Sequence, residues 1–253
     1  MVEKQNTKNT KKGAFTLAEV LITLVIIGVV ASMVIPTLID HVMKDMYAVG
    51  LKKSFSAFNQ VLISMARDNS TDLRLSSLNE FSGSDAVLGS KIAQYFKISK
   101  NCGTGSGCFP DKMGTEFNAN SSDAVTSSSV TGNHYSFITM DNMAYIVRST
   151  GSGCTASFNG TSSANITKDL TKICGLVWVD VNGPKIPNNF GKDIFLFYIA
   201  DGVKPTLYPA GAQDDSSLRW SNDGVNAINC TSSNPGGYTC AGRIFEQSWD
   251  VNY

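Results

Sequence analysis

The 253-residue sequence has no net charge at pH 7, because 21 Lys and Arg residues balance 21 Asp and Glu residues. A balanced charge lacks the positive field that non-specific nucleic-acid binding requires. Only 17% of the residues are charged and 42% are hydrophobic, which excludes a wholly disordered chain. We therefore predict one large or two small domains and no nucleic-acid partner.

Catalytic signatures are also missing. The sequence contains no Gly-x-Ser-x-Gly nucleophile elbow, no recognisable Cys and His signature and no phosphate-binding glycine loop. Only two histidines are present, His41 and His134, and there is no CxxC pair, so a zinc site has little support. We predict that the protein is not an enzyme.

The first 100 residues contain no cysteine. Six cysteines follow, and pairing of near neighbours would join Cys102 to Cys108, Cys154 to Cys174 and Cys230 to Cys240, although sequence leaves other connectivities open. An even number of cysteines in a chain that begins with an export-type segment indicates that the protein resides in an oxidising compartment. We predict structural disulfides.

The N-terminal region divides into a basic leader and an apolar run. Residues 1–13 contain four lysines and one acid, Glu3, which predicts a cytoplasmic position. Residues 20–39 contain no charged side chain. As a helix with a rise of about 1.5 Å per residue, this run would extend about 30 Å, the thickness of a bilayer's hydrocarbon core. One transmembrane helix is the direct prediction.

Three residues distinguish this run from an ordinary signal anchor. Glu19 lies at its front, where a buried carboxylate costs at least about 2.5 kcal/mol and requires a partner, unless it reaches the lipid headgroups. Pro36 removes a backbone donor late in the run and is expected to kink or loosen the helix, which Gly28 also weakens.

The segment KKGAFTLAEVLITLVIIGVVASMVIPTLI, residues 11–39, resembles the N-terminal signal of type IV prepilins and type II secretion pseudopilins. In that family the leader is cut before a residue that is commonly Phe, the fifth mature residue is Glu, and a proline often stands at the twenty-second. Counting from Phe15, Glu19 is the fifth residue and Pro36 the twenty-second. The resemblance places cleavage between Ala14 and Phe15. Cleavage after Gly13 stays open, because the family's usual glycine directly precedes the cut.

The resemblance also implies partners and a location. A membrane prepilin peptidase would remove the leader and methylate the new amine of Phe15, which would pair with Glu19 of a neighbouring subunit inside a helical bundle. A platform protein and an assembly ATPase would move the subunit from the lipid of the bacterial inner membrane into a filament. The implied function is a structural subunit, a pilin or pseudopilin, of a type IV pilus-like or type II secretion system filament.

The alternative function is an exported or membrane-tethered binding domain with an ordinary signal sequence. Val29 and Ala31 would supply a small-residue cut of the general signal-peptidase type, although the uncharged run exceeds a usual signal-peptide core. The mature chain would then begin near Ser32.

An apolar stripe extends the helix beyond the membrane. Leu51, Phe55, Phe58, Leu62 and Met65 recur every three or four residues between polar positions. The sequence thus predicts a leader over 1–14, a transmembrane helix over 15–39, an amphipathic continuation over 40–67, and a periplasmic or extracellular globular domain over 68–253.

The sequence of the globular part predicts a short helix and four strands. The helix is expected over 85–98 with Asp85 as its N-cap, and the strands over 135–140, 143–149, 175–181 and 193–200. Polar segments 118–133 and 149–168 are typical of loops. The expected fold is α+β and pilin-like, with a long N-terminal helix packed on a small antiparallel sheet in a loop-rich, disulfide-bearing domain.

The connection between the last two predicted strands carries hard oxygen donors. Asp180, Asn182 and Asp193 flank a turn that contains Gly183 and Gly191, and calcium prefers such ligands. The spacing fits no complete EF-hand loop, so an Asx-stabilised turn is the alternative. We predict no cofactor other than this candidate calcium ion.

Overall fold

The structure of the chain, a computed structural model, describes residues 16–69, 72–110, 112–115, 125–126, 134–157, 172–202, 204–212, 230 and 237–251. The chain divides into two units, Met1–Met43 and Lys44–Tyr253. The domain segments predicted from the sequence have boundaries that differ from those of the two units, and they stay predictions.

The first element is one long helix, α1, over Leu17–Asn69. Pro36 lies inside α1 and does not end it. Within the second unit, the predicted apolar stripe is buried at Leu51, Phe58, Leu62 and Met65, and Phe55 is half-buried. The prediction of a helix from the N-terminal run into the globular part is confirmed.

Nine strands among the described residues form the sheet. Their bounds are β1 Ile98–Gly103, β2 Lys112–Thr115, β3 Val125–Thr126, β4 Tyr135–Thr139, β5 Ala144–Ser149, β6 Ile173–Asp180, β7 Asn189–Phe190, β8 Ile194–Asp201 and β9 Pro205–Pro209. The order is β1-β4-β5-β6-β8-β7-β2-β3, and β9 also pairs with β8. The four predicted strands correspond to β4, β5, β6 and β8, which pair antiparallel with their neighbours in this order. The short strand β7 runs parallel to β8 and to β2.

Short helical segments lie between α1 and the first strand and near the C-terminus. Two 3-10 turns, Leu75–Ser77 and Asn79–Ser82, precede helix α2, Asp85–Ala93, and helix α3 spans Cys240–Glu246. The sequence prediction of α2 was too long, because Ile98 already begins the edge strand β1. Asp85 is also not the N-cap, a position that Ser84 holds; its carboxylate accepts a hydrogen bond from the Ser149 N–H at 2.6 Å.

The sheet separates two apolar clusters. Successive residues of β6 alternate between them, with Val177 and Val179 in the cluster that contains the α1 stripe and Trp178 in the other. Every residue of β8 is buried, as expected for a strand that is covered on both faces.

Polar contacts also join α1 and the 3-10 turns to the end of the sheet. The side-chain oxygen of Asn59 accepts hydrogen bonds from the Leu207 N–H at 2.8 Å and the Thr206 hydroxyl at 3.1 Å. The buried carboxylate of Asp201 accepts the Leu75 N–H at 2.9 Å and the Ser76 hydroxyl at 2.6 Å. These contacts satisfy backbone donors that burial would otherwise leave unpaired.

Three disulfide bonds join Cys102 to Cys108, Cys154 to Cys174 and Cys230 to Cys240. Each bond joins cysteines that neighbour one another in the sequence. With α1 packed on the antiparallel sheet and these crosslinks in the second unit, the predicted α+β fold is confirmed.

Candidate functional site

The N-terminus of α1 forms a capping box between Thr16 and Glu19. Glu19 Oε2 accepts hydrogen bonds from the Thr16 N–H and the Thr16 hydroxyl, both at 2.8 Å. The Thr16 hydroxyl oxygen in turn accepts the Glu19 N–H at 3.3 Å. This reciprocal arrangement satisfies backbone donors at the first turn of a helix. Glu19 is exposed, and Thr16 is the first described residue.

After this capping box, the apolar side chains of α1 within the unit Met1–Met43 are not buried. By length and composition α1 is able to cross a membrane, and none of the 18 residues in its most apolar window is buried. Leu24, Val25, Ile26 and Ile27 are each 57–64% exposed. Water does not favour so large a contiguous apolar surface, so this segment requires lipid or other apolar helices around it.

The few polar side chains of this segment are satisfied within the helix. The hydroxyls of Thr23, Ser32 and Thr37 donate to the carbonyl three residues earlier, at 2.9, 2.7 and 2.9 Å. Such internal bonds suit a surface that meets lipid or an apolar helix, because no polar group is left unpaired. A methyl group added at Gly28 would meet no atom within 4 Å, so Gly28 makes no close packing contact in the described chain.

The predicted processing residues Gly13, Ala14 and Phe15 lie outside the described residues. The cleavage site and the methylation of Phe15 therefore stay predictions. Pro36, the third predicted assembly residue beside Glu19 and Gly28, lies on the exposed apolar segment. The capping box was missed at the sequence level, although the pattern Thr-x-x-Glu at residues 16–19 was visible there.

The structure brings the three predicted calcium ligands together at the end of the β6–β8 connection. The Asn182 N–H donates to Asp180 Oδ1 at 3.2 Å, and Asn182 Nδ2 donates to Asp193 Oδ2 at 3.0 Å. The Asn189 N–H donates to Asp193 Oδ1 at 2.7 Å. The first of these bonds is an Asx turn, the alternative considered above. Calcium binding stays a prediction.

Both carboxylates of this cluster are fully buried. Burial and the nearby Asp193 raise the pKa of Asp180, and burial raises the pKa of Asp193. Tyr47 of α1 belongs to the same cluster. Burial and the charge of Asp193 raise the pKa of its phenol, a hydrogen bond with the Asn182 side chain lowers it, and the charge of Asp180 adds to the rise. Sequence reasoning missed Tyr47, because nothing in the local pattern of α1 links it to residues more than 130 positions away.

Residues 9–35 match a family model described as the prokaryotic N-terminal methylation motif. The match includes Glu19, Gly28 and the predicted cleavage site. No curated protein and no solved structure matches the chain.

Proposed function

Because the methylation motif at residues 9–35 marks the chain as a member of the type IV pilin and pseudopilin family, we propose that it is a structural subunit of a type IV pilus-like or type II secretion system filament. Membership of this family implies a non-enzymatic protein that a prepilin peptidase processes and an assembly machinery handles. It also implies a membrane-anchored or exported pilin.

The observation that carries this proposal is the unburied apolar surface of α1. A helix that formed the core of its own domain would bury such residues, whereas none of the 18 residues in this window is buried. In the same segment, the hydroxyl of Ser32 is hydrogen-bonded within the helix, and a methyl group added at Gly28 would meet no atom within 4 Å in the described chain. Lipid before assembly, and the helices of other subunits after it, supply the apolar surroundings that this surface needs.

The capping box refines the proposed role of Glu19 in assembly. Both hydrogen bonds from Thr16 use Oε2 of Glu19. The second oxygen, Oε1, can then accept the methylated amine of Phe15 from a neighbouring subunit without breaking the cap. In this proposal the carboxylate orders its own helix and sets the axial position of the next one, because an unpaired charge is costly within an apolar bundle.

The mature N-terminus is the first test of the proposal. Intact mass and N-terminal sequencing of the full chain, from membranes of cells with and without the prepilin peptidase, should show a chain that starts at Phe15 and carries one methyl group. Without the peptidase the leader should remain. A start at Ala14 would move Glu19 to the sixth position. A start near Ser32 that does not depend on the peptidase would reject the filament and support the exported binding domain.

A matched pair of variants separates the assembly charge of Glu19 from its capping role. Glu19→Gln keeps an oxygen that accepts the Thr16 N–H but removes the negative charge, whereas Thr16→Ala removes the capping hydroxyl and keeps the charge. We expect Glu19→Gln to reduce sheared filaments at least about tenfold, since losing about 1.4 kcal/mol of pairing changes an equilibrium tenfold, and Thr16→Ala to assemble.

The amount of each variant in the membrane is the control for these filament yields. Equal assembly by Glu19→Gln and the unmodified chain, at equal membrane levels, would contradict the pairing role of Glu19. If Thr16→Ala loses assembly and Glu19→Gln does not, the role of Glu19 is to cap its own helix and not to pair with a neighbouring subunit.

A further inference from the structure

Three pieces of the second unit meet at one end of the sheet. They are α1 over residues 44–53, the turn between β4 and β5, and the β6–β8 connection. Lys53 Nζ of α1 lies 2.8 Å from Asp141 Oδ2 of the turn. The Asn142 side chain of the turn donates to the Asn182 carbonyl of the connection at 3.0 Å. We call the solvent-facing side of these three pieces the loop surface.

The loop surface exposes large apolar side chains. In the β6–β8 connection Ile186 is 89% exposed, which is more than any other large apolar residue in the described part of the second unit. Met140 of the turn is 70% exposed, and Met46 and Val49 of α1 are also exposed. Exposed apolar residues that share one end of a domain are typical of an interaction surface.

The charged side chains of the loop surface are mainly lysines. Lys97 belongs to this surface, because its carbonyl accepts the Met140 N–H at 2.9 Å. Five exposed or half-buried lysines face two exposed aspartates, an excess of three positive charges: Lys44, Lys52, Lys53, Lys97 and Lys185 against Asp45 and Asp141. Asp180 and Asp193 are fully buried, and burial raises the pKa of both, which reduces their negative charge. The loop surface therefore attracts an anionic partner.

A cavity of about 260 Å³ opens on this surface. The aromatic rings of Phe96 and Tyr145 line it, and so does the exposed side chain of Met140. Lys53 and Lys97, both exposed, are the two cations of its lining. Apolar walls beside ammonium groups match a partner that has an apolar part next to an anion, which is the chemistry of an anionic phospholipid.

The length of the chain keeps this surface near a membrane. The uncharged run ends at Ile39, and Tyr47, eight positions later, is the first buried residue of the second unit. Eight residues cover at most about 28 Å even when they are fully extended. Once residues 20–39 span a bilayer, the loop surface is thus held close to the lipid headgroups, and so short a tether makes their local concentration high.

We propose that the loop surface docks onto the anionic phospholipid surface of the membrane that holds the chain before assembly. Ile186 and Met140 enter the interfacial region, while Lys97 and Lys185 contact lipid phosphates. Docking holds the second unit against the bilayer until the subunit leaves the membrane. This inference rests on the membrane-anchored stage of the proposed function.

The test measures how fast single lysines react in two lipid environments. The full chain is reconstituted in nanodiscs of phosphatidylcholine alone, or of phosphatidylcholine and phosphatidylglycerol in equal amounts. N-hydroxysuccinimidyl acetate then labels exposed amines, and mass spectrometry quantifies each site. We expect Lys185 and Lys97 to react about fivefold more slowly with phosphatidylglycerol, and high salt should reduce this protection.

Lys204 is the internal control for this measurement. It is exposed and follows β8, whose eight residues separate it from the loop surface by about 26 Å. Lys204 should react at the same rate in both kinds of nanodisc. Protection of Lys204 equal to that of Lys185 would show a general effect of the lipid charge and would overturn the docking.

A matched pair of variants tests the apolar contact. Ile186→Ser should fold normally, since Ile186 is 89% exposed, but Lys185 should lose its lipid-dependent protection. Val87→Ser is the control, because Val87 is an exposed residue of α2. The helix begins with Asp85 bonded to Ser149, at the opposite end of β5 from the turn. Val87→Ser should keep the protection in full.

A second pair tests the ionic contact. Lys185→Gln should weaken the protection of Lys97, whereas Lys204→Gln should not change it. The proposal fails if phosphatidylglycerol protects neither Lys97 nor Lys185 in the native chain, or if Ile186→Ser keeps the full protection. Protection that occurs in native membranes but in neither nanodisc would assign the loop surface to a protein partner and would also overturn the proposal.

Insertion of the chain separates this inference from the proposed function. Alkaline carbonate extraction of native membranes shows whether the apolar segment of α1 is integrated. A chain that is extracted would contradict the membrane-anchored stage and with it the proposed function. A chain that resists extraction, but whose lysines gain no protection from phosphatidylglycerol, would overturn the docking alone.

Discussion

Single residues decide how closely the elements of this protein approach one another. Gly89 of α2 faces Tyr135 of β4, and a methyl group at Gly89 would overlap the Cβ and Cγ atoms of Tyr135. Gly28 of α1 has no such neighbour within 4 Å. Two helical glycines that look alike in the sequence thus have opposite packing roles in the described chain.

We predict that Gly89→Ala lowers the free energy of unfolding by about 1–3 kcal/mol, because overpacking displaces the Tyr135 ring or the helix. The usual helix preference for alanine, about 1 kcal/mol over glycine, would act in the opposite direction. Gly28→Ala is the matched control and should leave the stability of the detergent-solubilised chain unchanged or higher. Thermal unfolding followed by circular dichroism measures both, and equal stability of the two variants would contradict this packing role.

At the scale of elements, an ion pair joins α1 to the turn between β4 and β5. Lys53 Nζ lies 2.8 Å from Asp141 Oδ2, and both side chains are more than a third exposed. The Thr139 hydroxyl also donates to Asp141. Burial raises the pKa of Asp141, but the contacts with Lys53 and Thr139 outweigh it, so the pKa lies below its ordinary value of 3.8.

A lowered folded-state pKa means that this contact stabilises the protein above pH 3.8 and loses its effect as the pH falls through the folded-state value. We predict that Lys53→Met costs at most about 1 kcal/mol at pH 7, because exposed pairs are weak, and less near pH 2, where more of Asp141 is protonated. The adjacent exposed Lys52→Met controls for the loss of one positive charge. Thermal unfolding at both pH values measures the difference. A cost that is equal at both pH values would show that Lys53 acts through its aliphatic packing.

For the whole molecule, disulfides supplement a core that is interrupted by polar connections. Cys154 and Cys174 are 20 positions apart, both are buried, and Cys174 lies in the central strand β6. Cys102 and Cys108 are only six positions apart, at the edge strand β1. A crosslink restricts the unfolded chain more strongly when it closes a longer loop.

We predict that replacing both Cys154 and Cys174 by Ala destabilises the protein more than replacing both Cys102 and Cys108. Loop entropy alone accounts for about 1 kcal/mol of the difference, and the central position of β6 adds to it. Unfolding midpoints of the two double variants, compared under identical conditions, test this order. The reverse order would show that native-state packing around Cys102–Cys108 outweighs loop length.

Much of the fold was predictable because it depends on local patterns. The length of residues 20–39 and their lack of charge predict a membrane helix. The β-branched and aromatic residues of β4, β5, β6 and β8 predict strands. Strands β1, β2, β3, β7 and β9 and the correct end of α2 were not predicted, and β3 lies in the segment 118–133 that was predicted to be a loop. Their bounds depend on pairing with distant segments, which local propensity does not report.

The sequence by itself determined the N-terminal signal, the apolar helix and four of the strands, since each depends on the residues of one contiguous segment. Only the tertiary structure decided which helix surface is covered and that Tyr47 lies beside Asp180 and Asp193. These outcomes depend on burial, and burial arises from contacts between residues far apart in the chain. A buried carboxylate and an exposed one have the same letter in the sequence, but only the first requires a partner.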